Sequence, residues 1–404
     1  MTPRPADGAA FWLERGRSWA LAALALALPL SLAGANACWA LALACWLGLL
    51  VVDPAARRFR PTGLEIPWLL YLAVEVATAL WSDRPVHSLG KVKSEILFVV
   101  FLLYAQAPAE RRRHLGLFLL GAGIAAALGL VQKSLGWTSE GLHGVARLLD
   151  THRGRAQGFY SNPITYAEML LFAIFLSLSR RRASGAGSAA WPWGVFVLAV
   201  AAAAASATRA VWLAGPLALG GWAFWRRDRR VALALGAVLL GAGVTGFASP
   251  AFRARAASIT DARTDTSHLI RKGVWVRCAE LIRQHPGRGV GIGNLHIAGR
   301  DLPWGGASPD SDWTEAHNIY LQMAVERGVP GFLVFLALLV VYWRFLVKAA
   351  AADPELDGLL FGFLALCLAG LTESWTHDSE VVLCLYMLLG VAAARPRVPP
   401  VGGI

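Results

Sequence analysis

Three side chains in this sequence combine chemical capacity with an unusual setting: Arg209, Arg271 and His317. Arg209 lies in S-A-T-R-A-V-W-L-A, a tight turn between two apolar runs. An arginine beside membrane depth is costly unless it finds a partner, so it points to a water-filled cavity and an anion. Ser206 and Thr208 next to it are candidate hydroxyl donors. Arg271 follows in S-H-L-I-R-K-G-V-W. Two guanidinium groups offer planar, paired donors that match a phosphate or diphosphate. His317, in E-A-H-N-I-Y-L-Q, opens a further apolar run. Histidine is the side chain best suited to moving a proton near neutral pH. The set reads as an anion clamp with a proton acceptor beside it.

Other residues are candidates for support. Arg155, Lys272 and Arg288 could add to the anion site, and Glu373 or Asp378 could orient His317 by a hydrogen bond. The glycines of H-P-G-R-G-V-G-I-G-N follow no strand, so they are not a dinucleotide fingerprint. They suit a loop that lets backbone approach a ligand or pack closely. Asp310-Ser311-Asp312 matches a short metal-binding pattern of nucleotide-sugar enzymes, but so brief an acidic match is weak, and no metal is expected. The five cysteines show no C-x-x-C spacing, so no zinc or disulfide framework is implied.

The elements that position these groups are membrane helices. The chain has 404 residues, 56% of them hydrophobic and only 16% charged, with mean hydropathy +0.50. Soluble domains are about a quarter charged. Apolar runs at 18–33, 36–52, 64–81, 94–106, 114–133, 164–179, 191–207, 210–225, 231–248, 319–347, 357–372 and 379–394 predict about twelve spans in an all-α polytopic membrane protein. The first run reads as a span rather than a cleaved leader. With both termini cytoplasmic, every second loop is a basic cluster, and these clusters with the N-terminal tail hold 20 of the 38 Lys and Arg residues. The other 18 fall outside the positive-inside rule, so the outer face suits an anionic ligand. Residues 1–248 then form an N-terminal helical part, 249–318 one long outer loop, and 319–404 the last spans. Within the loop, Ile270, Val274, Cys278, Leu281 and Ile282 predict an amphipathic helix over 269–283 near the membrane surface, with Trp275 at the interface.

Taken in order, R-x-Q-G-F-Y-S-N-P from Arg155, S-A-T-R-A-V-W-L-A at Arg209, R-x-x-x-W from Arg271, H-P-G-R-G-V-G-I-G-N, and E-A-H-N-I-Y-L-Q-x-x-x-E-R-G-V-P-G from Glu315 resemble the O-antigen ligase and polymerase superfamily of bacterial inner membranes. The resemblance covers roughly Arg155 to Gly331. It implies a GT-C-like, inverting glycosyltransferase that takes glycan from undecaprenyl diphosphate on the periplasmic side. Ligases pass the glycan to lipid A–core, polymerases to another lipid-linked glycan, and relatives to protein. Two arginines and a histidine are essential in ligases, and Arg209, Arg271 and His317 match them. The donor is already activated, so no ATP, metal or other cofactor is expected, and no nucleic acid. Lipid tails would enter sideways from the membrane lipids. The chain ends about ten residues after the last run, which favours a ligase over protein-modifying relatives with a C-terminal soluble domain. A secondary transporter is the reading of another class, but the halves show no repeat and the charges avoid mid-membrane.

Overall fold

The computed structural model describes residues 5–135, 154–183, 190–259, 266–299 and 315–394. The described residues are helical, with no strand among them. The helices are α1 (Pro5–Ala27), α2 (Leu32–Val52), α3 (Glu65–Trp81), α4 (Pro85–Val92), α5 (Phe98–Ala105), α6 (Arg111–Leu135), α7 (Pro163–Ala183), α8 (Ala190–Ala205), α9 (Arg209–Arg226), α10 (Arg229–Ala248), α11 (Pro250–Ala257), α12 (Thr266–Gln284), α13 (Leu295–Ala298), α14 (Ile319–Ala352), α15 (Asp357–Ala369) and α16 (Ser379–Ala393).

Each apolar run expected as a span coincides with helix. Among the described residues, five helices are long and apolar enough to cross a membrane by themselves: α2, α6, α7, α10 and α14. The run at 94–106 departs most from expectation. It folds as a 3-10 turn, Lys93–Leu97, followed by the eight residues of α5. The first helix starts at Pro5 and stops at Ala27, well before the expected end.

The bundle is built around α7, whose apolar window is 89% buried, whereas that of α10 is 11% buried. Small residues let α15 reach α7: a Cβ on Gly358 would lie 2.4 Å from the Phe175 carbonyl oxygen, and one on Gly362 2.9 Å from the Phe172 ring. This is the G-x-x-x-G spacing that brings membrane helices into close contact. Trp222 fills the space beside it, stacked on Phe361 with ring centroids 5.1 Å apart. On the outside, Val51, Ile66, Phe224, Leu240 and Phe247 are exposed. So much uncovered apolar surface is foreign to a soluble protein and suits a bilayer.

At one end of the bundle, basic clusters expected only to set topology also make specific ion pairs. Arg111 pairs with Asp353 at 2.5 Å, Arg180 with Glu355 at 3.0 Å and Arg226 with Asp357 at 2.6 Å. The short acidic link between α14 and α15 therefore staples α6, α7 and α9 together.

At the other end, α14 is broken. Gly328 sits at φ 68°, ψ 177°, and Pro330 follows two residues on. Pro330 has no N–H for the carbonyl of Glu326, four residues back. The glycine loop after α12 repairs the gap: Gly291 N donates to Glu326 O at 2.9 Å, Val290 N to Val325 O at 2.9 Å, and Val329 N to Pro286 O at 2.8 Å. A Cβ on Gly289 would lie 2.4 Å from Glu326 O, so the loop's glycines serve close packing against the break.

Three charged side chains are buried together at the same break. Arg327 donates from Nε and Nη2 to the carboxylate of Glu75 on α3, and from Nη1 to Glu326 Oε2 at 2.6 Å. Arg327, Glu75 and Glu326 are all within 5% of full burial. Arg327 is thus a structural ion buried between α3 and α14. Removing one member of a buried pair strands the others. Arg327→Met should therefore lower unfolding stability in detergent by about 3–5 kcal/mol. A thermal scan showing no change would contradict this role for the pair.

Candidate functional site

α12 and the glycine loop after it pack through their own small core. Val274, Cys278 and Leu281 of α12 bury against Val290, Leu295, Ala316 and Val325. These are the apolar positions that the 269–283 spacing predicts, and the helix runs one turn further at its N-terminus, Thr266–Gln284. Trp275, half-buried, donates from its indole N–H to the carbonyl of Ala316 at 2.9 Å.

That bond is one of several that clamp His317. The residue sits at φ +47°, in the left-handed region that histidine visits more readily than most residues. Ala316 N donates to Gln322 Oε1 at 2.6 Å, and Gln322 Nε2 donates to Glu326 Oε1 at 2.7 Å. Gly293 N donates to the same Glu326 oxygen at 2.8 Å. Asn318 caps α14 by accepting from Tyr320 N and Leu321 N. Ile319 N donates to the carbonyls of Gly370 and Glu373. The turn is thus fixed to α12, to the break in α14 and to the α15–α16 connection.

A cavity of about 200 Å³ opens in front of it, lined by Arg155, Ile164, Thr208, Arg209, Arg255, Ile270, Arg271, His317 and Glu373. Arg155, Arg209, Arg271 and His317, distant in sequence, all line this cavity. Arg155 donates to Ser206 O at 2.6 Å and to Thr208 Oγ1 at 3.0 Å. Arg209, at the first position of α9, donates from Nη1 to the carbonyl and hydroxyl oxygens of Ser258 at 2.9 and 3.0 Å. Arg271 donates to Glu373 Oε1 at 2.8 Å. The other oxygen of Glu373 lies 3.7 Å from His317 Nδ1. One carboxylate therefore serves both the arginine and the histidine.

Four arginines against one glutamate leave the lining positive. In a confined site with reduced dielectric, such a lining attracts an anion strongly. Arg255 was not singled out from sequence as a site residue. It lies on α11 and donates to the carbonyl of Ala207 at 3.1 Å. Its signal was its place among loop arginines that topology leaves unexplained, but nothing in its spacing separated it from them.

Several expected supporters lie elsewhere. Lys272 and Arg288 are exposed and do not line the cavity. Lys272 is one residue past Arg271 and so on another face of α12; Arg288 is on the glycine loop, which faces the α14 break. Ser206 and Thr208 bond within the turn, donating to Ala203 O at 2.7 Å and Pro163 O at 3.2 Å, and of the two only Thr208 lines the cavity. Asp378 accepts from Thr165 at 2.9 Å and lies outside the cavity lining. Burial raises its carboxyl to about 6. Of the two acids considered for orienting His317, Glu373 is the one in place. Asp310-Ser311-Asp312 lies outside the described residues.

A second histidine supports the turn. His377 Nδ1 is 3.6 Å from Glu315, and its Nε2 is 4.0 Å from Glu326, whose carboxylate it shares with Arg327. Burial opposes a charge on His377, but the carboxylates of Glu315 and Glu326 outweigh it and hold its pKa above the ordinary 6.5. Stability from this contact is therefore complete below pH 6.5 and is lost as pH rises through the higher folded value. Thermal midpoints from about pH 5.5 to about pH 8.5 should show wild type ahead of His377→Gln at the acidic end, with the gap closing as pH rises. A gap that widens toward alkaline pH would contradict the assignment.

A family model described as O-Antigen ligase matches residues 194–336. That segment contains Arg209, Arg271, His317 and the α14 break. No curated protein matches the chain.

Proposed function

We propose that this chain, which matches an O-Antigen ligase family model over residues 194–336, is an O-antigen ligase. It transfers polysaccharide from undecaprenyl diphosphate to a sugar hydroxyl of lipid A–core, at the periplasmic face of the bacterial inner membrane. The observation that carries this reading is the meeting of four arginines with a histidine–carboxylate pair in one cavity.

Glu373 facing Nδ1 favours the tautomer with the proton on that nitrogen. Nε2 is then left to accept the proton of the acceptor hydroxyl. The freed oxygen attacks the anomeric carbon from the side opposite the leaving group, and the bond from that carbon to the diphosphate oxygen breaks with inversion. The electron pair leaves with undecaprenyl diphosphate. Arg209 and Arg271 stabilise the charge that develops there, with Arg155 and Arg255 alongside. Donors fixed before the reaction cost no reorganisation during it, which is why such electrostatic contributions are large. Glu373 stabilises the imidazolium and holds Arg271 in place at once.

Arg271→Lys keeps a charge but loses the paired planar donors, and transfer should fall by about a hundredfold or more. The cellular test is a lipopolysaccharide gel from a strain lacking the gene. The strain should lack long chains on lipid A–core while accumulating lipid-linked polymer. Wild type should restore the ladder, while His317→Ala and Arg271→Lys should not. Attachment of single repeat units in the null strain would instead indicate a polymerase. An unchanged ladder would refute the ligase assignment.

A further inference from the structure

A second cavity, of about 190 Å³, opens at the same end of the bundle. Its walls are the α1–α2 turn with Ser31, the segment Phe159–Tyr160–Ser161 ahead of α7, and Glu380 in the first turn of α16. Both cavities are built on the same two stretches of chain. Arg155 and Ile164 line the first while Phe159 to Ser161 line the second; Glu373 lines the first and Glu380 the second. The two cavities therefore draw on one backbone frame.

That frame is held in place before any ligand arrives. Gln132 grips Gly158 in both directions, donating to its carbonyl at 2.7 Å and accepting from its N–H at 2.8 Å. Tyr160 donates to the carbonyl of Leu28 at 3.2 Å, tying the segment to the α1–α2 turn. Thr165 on α7 bonds Asp378 just before α16.

The chemistry of this cavity differs from that of its neighbour. It contains a carboxylate and no arginine. An acid in the first turn of a helix is ordinary, but Glu380 makes no hydrogen bond or ion pair to another described residue and its side chain faces the cavity. Ser31 accepts from Gly34 N, which leaves its hydroxyl proton to donate. Ser161 is exposed at the rim, and Phe159 presents an uncovered ring. A lining that combines a carboxylate and hydroxyls with Phe159, Leu30 and Pro29 matches a sugar ring, whose hydroxyls ring its edge and whose C–H groups form its faces. Ligand pockets for larger molecules measure about 300–1,000 Å³, so this one takes a single ring. Its negative charge turns phosphate away toward the arginines, so the two cavities sort a glycosyl diphosphate by charge.

We propose that this second cavity is a subsite for one uncharged sugar ring of the donor or acceptor glycan, with Glu380 accepting hydrogen bonds from adjacent ring hydroxyls. The proposal rests on the diphosphate reading of the arginine cavity. The test measures binding of three lipids to the full-length protein in nanodiscs: undecaprenyl diphosphate, the same lipid carrying its glycan, and lipid A–core. Glu380→Gln and, independently, Ser161→Phe, which fills the cavity from its rim, should each weaken one sugar-bearing lipid by about tenfold. Bare undecaprenyl diphosphate should bind as it does to wild type, which also reports an intact fold. Loss confined to the glycan-bearing donor assigns the ring to the donor, and loss confined to lipid A–core assigns it to the acceptor. Unchanged binding of both sugar-bearing lipids would overturn the subsite and leave the arginine cavity untouched. Failure of wild type to bind undecaprenyl diphosphate would refute the diphosphate reading itself, and this proposal with it.

Discussion

The site depends on one buried constraint, the carboxylate of Glu326 where α14 breaks. Its Oε1 accepts from Gly293 N and Gln322, and its Oε2 accepts from Arg327, which also holds Glu75 on α3. A carboxylate at that depth needs such partners, because a stranded buried charge costs several kcal/mol. The partners it recruits are the parts of the site frame: the glycine loop behind α12, the helix α3, and, through Gln322, the backbone just ahead of His317. The break itself follows from Gly328 and Pro330, which free two carbonyls that the glycine loop then satisfies. Local covalent geometry and a buried ion therefore set one turn of chain, and that turn sets the histidine.

In front of this frame the charges are arranged with economy. Arg155, Arg209, Arg255 and Arg271 come from four different segments and converge on one cavity. Such convergence is unfavourable without an anion, so the fold supplies carbonyls, hydroxyls and a single carboxylate to hold the guanidinium groups apart and aimed. Glu373 has the most consequential position, because it bonds Arg271 while lying 3.7 Å from His317. A change in the charge of the bound ligand would be felt at the histidine through that shared group.

Much of this was legible in the residues. The apolar runs marked the helices, and the three-and-four spacing of Ile270, Val274, Cys278 and Leu281 marked α12 with its buried face. Arg209 stood out by its place beside membrane depth, whereas Arg271 and His317 gained weight only together with it and from the motifs around them. What stayed hidden was tertiary. Arg255 resembled every other loop arginine until α11 placed it against Ala207. Lys272 and Arg288 shared its charge but not its direction. The pairing of Arg111, Arg180 and Arg226 with Asp353, Glu355 and Asp357 crosses more than a hundred residues, beyond any local pattern. The hydrogen bond from the Trp275 indole N–H to Ala316 was likewise not readable from local spacing.

The central claim is that the arginines hold a diphosphate while His317 accepts the proton that makes the acceptor a nucleophile. The most direct measurement reconstitutes purified protein with undecaprenyl-diphosphate-linked glycan and lipid A–core, and follows both glycan transfer and donor binding. Wild type should transfer glycan and release one undecaprenyl diphosphate for each glycan moved. His317→Ala should still bind the donor but not turn it over, and Arg209→Ala should lose donor binding. Turnover by His317→Ala at the wild-type rate, or undiminished donor binding by Arg209→Ala, would contradict the account.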